Sequence, residues 1–242
     1  MDRAERRPVG LQGVRHLLRR ELGSADLAVG DVGIVDSHDL WVPTGRLGQT
    51  GTRRYDRGVP DRLHFTESDD ANALIAQDPM ALLIGFALDQ QVSVQKAFSG
   101  PLAIRERLGA LDAATVAGAD LEAVFRERPA IHRYPAVMAK RVHDLAAYLR
   151  DTYDGDAARV WTDAADGAEL RANLEALPGF GEMKVKALGS VLAKRFDVAA
   201  AQDLVPWHPT LGDVDSADAL AEYQAAKRIH KKEWSAKAPA GG

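Results

Sequence analysis

The run Pro79 to Leu88 (PMALLIGFAL) constrains this chain more than any other segment. Asp78 before Pro79 marks a helix start, an aspartate N-cap with proline in the first turn. The helix that follows, Met80 to Asp89, is apolar on nearly every side. A helix apolar all round cannot lie on a surface, so other elements must enclose it. It is also far shorter than the roughly 20 apolar residues that a membrane span needs, and no longer apolar run exists elsewhere.

The surrounding pattern supplies that enclosure. From Leu63 onward the apolar spacing is helical throughout. Ser68 or Asp69 can cap a helix over Asn72 to Gln77. Further helices are expected over Ser93 to Phe98, Leu102 to Leu108, Ala119 to Arg126, Tyr134 to Tyr153, Gly167 to Ala176, Glu182 to Phe196 and Ala217 to Trp234. The helix 134–153 places Val137, Met138, Val142, Leu145, Ala146 and Leu149 on its core face. Lys140, Arg141, Asp144 and Arg150 fall on its polar face. Alternating strand patterns are confined to weak candidates near Val29 to Val42, and no long-period repeat is present. The expected fold class is all-α, built from a chain of 242 residues that is long enough for a substantial core.

Residues 1–62 read differently. They are rich in glycine and scattered arginine, with one short amphipathic stretch from Leu11 to Glu21 and a loop-like or disordered run from Gly45 to Gly58. We read them as an N-terminal extension to a helical domain at 63–242; a start codon placed too early would also produce one. The arginines near the N-terminus flank no long apolar core, so no secretory signal is expected.

Absent residues exclude whole chemistries. There is no cysteine. That removes disulfides, a thiol nucleophile, cysteine-ligated zinc and cysteine-ligated iron–sulfur clusters, and it fits a reducing, cytoplasmic compartment. His132, His143 and His208 show no metal spacing, and no metal or other cofactor is expected. No P-loop, nucleophile elbow or dinucleotide fingerprint occurs. The formal net charge of −4 argues against a nucleic-acid binder, because such domains usually run basic. Basic residues are nevertheless concentrated locally. Lys184, Lys186, Lys194 and Arg195 occupy a stretch without acids, and Lys227, Arg228, Lys231, Lys232 and Lys237 face only Glu233. On charge alone, two solvated helix faces are the simpler reading.

The segment Leu177-Pro-Gly-Phe-Gly181 carries the chemical information. Pro178 cannot continue the helix before it. Gly179 and Gly181 bracket Phe180 in a tight turn, and a second helix begins at once with Val185, Leu188, Val191 and Leu192 at core spacing. The turn amides and the free N–H groups at that helix start make an anion seat, favoured further by the helix dipole. A phosphodiester bound there would be positioned without any base being read. An ordinary αα-hairpin with a glycine cap has the same local sequence.

Three segments in order resemble the helix-hairpin-helix (HhH-GPD) base-excision DNA glycosylase superfamily. They are LPGFG at 177–181, LLIGFALDQQVSVQKA at 82–97, and YPAVMAKRVHDLAAYLRDTYDGD at 134–156. The Gln-Gln-Val-Ser run is closest in flavour to the 3-methyladenine branch. The resemblance covers about half of the chain. It implies a two-lobed helical fold with the hairpin (168–196) at the rim of a cleft, acting on double-stranded DNA with a damaged base, as a monomer and away from membranes. The cytoplasmic expectation becomes association with the nucleoid if the source is bacterial.

Such an enzyme flips the base out of the stack and cuts its N-glycosidic bond. The resemblance assigns Gly179, Phe180 and Gly181, with Lys184 and Lys186, to the DNA backbone. It assigns Gln90 or Gln91 to the gap left by the flipped base; a local helix cap is the plain alternative. A carboxylate is needed to stabilise the sugar cation, and Asp203 fits the family spacing beyond Gly181. Its flanking residues (AAAQDLVPW) depart from the family's, Asp213 and Asp215 are later alternatives, and Asp197 is too close. A relative without a carboxylate here would bind DNA only.

Members that cut the strand carry a lysine two residues after the second glycine; here that residue is Met183. Lys184 is rotated by about 100° around the helix and is expected to point elsewhere, so the implied activity is monofunctional hydrolysis. Trp161, Trp207, Trp234, Tyr134 and Phe180 are candidates for a base pocket or for simple packing. The rivals to an enzyme are a non-catalytic DNA-binding protein and a helical protein-interaction module.

Overall fold

The structure, a computed structural model, describes residues 58–237. The expected helix at Leu11 to Glu21, the strand candidates near Val29 to Val42 and nearly all of the Gly45 to Gly58 run lie outside the described residues. Those described are helical, with no strand among them. In order the helices are α1 (Asp69–Gln77), α2 (Pro79–Leu88), α3 (Val94–Leu108), α4 (Ala113–Gly118), α5 (Leu121–Arg126), α6 (Pro135–Tyr153), α7 (Arg159–Thr162), α8 (Gly167–Glu175), α9 (Glu182–Arg195) and α10 (Ala217–Lys237). Two 3-10 segments, Ala199–Leu204 and Leu211–Asp213, connect α9 to α10.

Helix α2 is enclosed as its composition requires, with every residue from Met80 to Leu88 buried. Asp78 caps it by accepting from the Met80 and Ala81 amides. Helices α1, α3 and α6 pack around it. Phe98 of α3 lies edge-on to Phe65 and to Phe86, with ring centroids 5.0 and 5.1 Å apart. Helices α2 and α3 approach so closely that a Cβ on Gly85 would sit 2.4 Å from the Phe98 ring, and one on Gly100 would sit 2.4 Å from Leu88.

Helices α8 and α9 pack with each other and with the 3-10 segments. Gly189 of α9 receives Leu204, and Gly212 lies against the Ser190 carbonyl. Helix α10 returns toward the start of α3, where Gln224 and Gln95 hydrogen-bond reciprocally.

Four expectations need correction. Ser93 to Phe98 and Leu102 to Leu108 form one helix, α3, with Pro101 inside it. Proline removes one ladder bond, but Gly100 and Pro101 are both buried, and their packing carries the helix through. Ala119 ends α4, and α5 begins only at Leu121, capped by Asp120. Val137, expected on the core face of α6, is 58% exposed, whereas Met138, Val142, Leu145, Ala146 and Leu149 are buried. Met138 and Ala139 in the same turn are buried, and Val137 is rotated about 100° from Met138 around the helix, off the buried stripe. The packed chain also begins before Leu63, since Val59 already lies against the core.

Candidate functional site

The hairpin forms where α8 stops. Leu177 and Phe180 are buried as anchors, and the Phe180 amide donates to the Leu177 carbonyl at 3.1 Å. Gly179 has φ +81°, a conformation that L side chains rarely adopt. Gly181 is the N-cap of α9 and offers no side chain to cap it. Its carbonyl accepts from the Lys184 and Val185 amides. The amides of Gly181, Glu182 and Met183 find no acceptor among the described residues, and all three residues are exposed. These are the orphan donors of a helix start, left facing solvent.

The two glycines differ in access. A Cβ on Gly181 would meet nothing within 4 Å. A Cβ on Gly179 would strike the Arg141 side chain at 2.9 Å. Arg141, from α6, lies over Gly179 and donates through its guanidinium to the Gln90 Oε1. The seat expected from sequence as two bare glycines is therefore one open glycine and one lying beneath a cation.

Gln90 and Gln91 follow α2 as a structured turn. The Gln90 carbonyl lies 3.1 Å from the His132 Nε2. Tyr134 donates its backbone N–H to the His132 Nδ1 at 3.1 Å. A carbonyl can only accept, so Nε2 carries the proton and His132 is neutral in this arrangement. Burial holds its pKa below the usual imidazole value, in keeping with that state. Gln91 is exposed at φ +57°, a sparsely populated conformation for a non-glycine residue. The Tyr134 hydroxyl donates to its Oε1 at 3.2 Å.

Lys184 turns away from the exposed hairpin surface and toward α2. Its Nζ donates to the Ala87 carbonyl at 3.0 Å and lies 5.6 Å from the centre of the Phe180 ring. Burial, with Arg141 adding repulsion, pushes the amine down to about 8, and Asp89 draws it back up. Met183 is 72% exposed.

The remaining basic residues of this stretch are engaged. Lys186 pairs with Glu182 at 2.6 Å, Lys194 with Asp213 at 2.6 Å, and Arg195 lies 3.9 Å from Asp215. The stretch expected as a basic run is thus largely neutralised in place.

The carboxylates expected from sequence lie away from this cluster. Asp203 is exposed in the 3-10 segment Ala199–Leu204, and a Cβ on Gly167 would approach its Oδ2 to 2.7 Å. Gly167 opens α8, whereas the hairpin follows that helix's other end, about 13 Å along its axis. Asp213 closes a capping box with Thr210. Burial alone would raise its carboxyl, but Lys194 and Thr210 together hold it below the usual value. Asp197 follows α9 at φ +51°.

Of the aromatic candidates, Trp161 and Phe180 are buried, Tyr134 is exposed at the Gln91 turn and Trp207 is 93% exposed. The Trp234 side chain lies outside the described residues. No His, Cys, Asp and Glu cluster with metal-binding geometry occurs among the described residues.

Sequence reasoning missed Asp89 and understated Arg141. Asp89 is half-buried just after α2, and burial raises its carboxyl while Lys227 and Lys184 pull it back. The available signal was an acid at a helix C-terminus, where the dipole opposes negative charge. Arg141 showed no such mark, because a cation on a polar helix face is ordinary. No family model, curated protein or solved structure matches this chain.

Proposed function

We propose that the protein is a monofunctional base-excision DNA glycosylase with the two-lobed architecture that its sequence resemblance implies. The observation that supports this best is the start of α9, where three exposed amides lack acceptors beside an open Gly181. A phosphodiester oxygen would complete them, with the positive end of the α9 dipole behind it. Arg141 and Lys184 add positive charge nearby.

In this reading the duplex is held by its backbone, and sequence is not read. The damaged base leaves the stack at a cost of a few kcal/mol, least for a lesion that already pairs badly. Gln91, exposed at the tip of its turn, is suited to occupy the space left behind. The C1′–N bond then breaks with carboxylate stabilisation of the sugar, and water completes the hydrolysis. Asp203 is the residue that the resemblance puts forward for that role. A lyase step is not part of the proposal, because Met183 carries no amine and Lys184 is directed at Ala87.

The test is incubation of the full chain with duplexes carrying alkylated, oxidised, deaminated or mismatched bases, with abasic sites as the readout. Release of one lesion class supports the proposal, and the absence of a borohydride-trapped adduct supports its monofunctional form. Tight, salt-sensitive binding without release across the panel favours a non-catalytic DNA-binding protein, which would use the same hairpin amides. Absence of duplex binding removes both.

A further inference from the structure

We propose that His132 is the positioning residue of the gap-filling turn, a buried neutral imidazole that sets Gln91 and Tyr134 side by side on the protein surface. The inference rests on the glycosylase reading above and deepens it by naming what holds Gln91 in place. The His132 ring is 1% exposed. Both of its nitrogens are bonded. Nε2 donates to the carbonyl of Gln90, 42 residues away in sequence, and Nδ1 accepts the Tyr134 backbone N–H, each at 3.1 Å.

These bonds close a circuit around Gln91. The Gln90 carbonyl shares a peptide plane with the Gln91 N–H, so anchoring one fixes the plane from which the Gln91 φ of +57° is reached. A non-glycine residue keeps such a conformation only where its surroundings hold it. On the far side of the circuit the Tyr134 hydroxyl donates to the Gln91 Oε1 at 3.2 Å. Tyr134 is also the N-cap of α6, and its own N–H is held by the same ring. The inner half of the circuit is buried, whereas Gln91 and Tyr134 are exposed. Order built in the interior is thus delivered to two side chains that face solvent.

The circuit requires a neutral ring. A proton on Nδ1 would set a second N–H against that of Tyr134 and remove its acceptor. The surroundings favour the neutral form. Burial pushes the imidazole below its usual value, with Lys96 and Arg133 adding repulsion against the pull of the Gln90 and Leu88 carbonyls. Lys96, from α3, donates to the Ala130 carbonyl at 2.8 Å, and the Arg133 guanidinium lies 4.9 Å from the centre of the Tyr134 ring. From α6, Arg141 bonds the Gln90 side chain, and Asp89 precedes Gln90 at the end of α2. Acid should therefore loosen the turn, while the hairpin amides, which do not titrate, go on holding the DNA backbone.

The experiment measures binding of the full chain to two duplexes, one carrying a tetrahydrofuran abasic-site analogue and one intact, from about pH 7.5 to about pH 5. The ratio of the two affinities removes the backbone attraction common to both. At neutral pH the analogue duplex should be preferred, and the preference should fall by about tenfold as the His132 ring, followed by its NMR signals, takes up a proton. Gln91→Ala should abolish both the preference and its pH dependence. His132→Gln supplies a donor for the Gln90 carbonyl but no titrating group, so it should retain part of the preference and lose the pH dependence. His132→Phe should lose about as much preference as Gln91→Ala, and the double variant no more than either alone. A wild type without preference, a preference flat with pH, or additive losses overturn the assignment; base release by the same protein would leave the glycosylase reading standing. A wild type that binds neither duplex removes that reading, and the role of His132 with it. Should the His132 variants fail to fold, the pH profiles of the wild type and Gln91→Ala decide. A fall in the first that is missing from the second supports the proposal, and matching profiles overturn it.

Discussion

The two ends of α9 are built on opposite terms. At its C-terminal end the cations Lys194 and Arg195 face Asp213 and Asp215, and Gly189 and Gly212 are closed by Leu204 and the Ser190 carbonyl. At its N-terminal end three amides lack acceptors, Gly181 stands open, and Lys184 and Arg141 bond to neutral oxygens. The C-terminal end pairs its cations with carboxylates, although the Arg195 Nε is buried without a hydrogen-bond partner among the described residues, and the N-terminal end leaves its backbone amides open. The proposed phosphate seat rests on those open amides at the start of α9.

Stability measurements can break this contrast. The largest effect is expected for Gly212→Ala, whose Cβ would sit 2.4 Å from a backbone oxygen that cannot move aside alone. A loss of about 3 kcal/mol should appear as a lower urea midpoint. Gly181→Ala meets open space and should lose less than about 1 kcal/mol. Equal losses at the two glycines would abolish the contrast.

Asp213→Asn comes next, at about 1 kcal/mol, since it weakens both the cap at Thr210 and the partner of Lys194. Because the folded carboxyl is depressed, its contribution is present above the unfolded value of 3.8 and fades as pH falls through the lower folded one. Acid unfolding of the variant should therefore be less steep in that range.

Lys184→Met should remove a rise of the same sign at the alkaline side. Its folded pKa of about 8 lies below the ordinary 10.5, so wild-type stability gains from this group as pH rises between those values. Urea unfolding should show that rise in the wild type and not in the variant; the same rise in both would detach the amine from its buried setting. Smallest of all is Trp207→Ala, which at 93% exposure should change stability by no more than about 0.5 kcal/mol.

Much of the scaffold was legible because its signals are local. An all-apolar α2, the periodic faces of α6 and α9, and Pro178 with its two glycines identify elements without tertiary knowledge. Helix α3 was not, because Pro101 reads as a break until the buried contact of Gly100 with Leu88 is known. The site was half legible. The hairpin and the Gln90–Gln91 turn are written in sequence, but the direction of Lys184 depends on a carbonyl 97 residues away. Arg141 over Gly179 is likewise a long-range fact, and so is the placement of Asp203 beside Gly167 rather than beside the hairpin.

The glycine-tight fit of α2 against α3 has a consequence for everything attached to α2. Neither helix can slide or roll without forcing Phe98 or Leu88 into a space too small for a methyl group. The backbone positions of Asp89, Gln90 and Gln91 are inherited from the interior rather than set by the surface. Adaptation to an incoming molecule at this turn must fall to side-chain rotation, so tolerance at the rim is bounded by packing deep in the core.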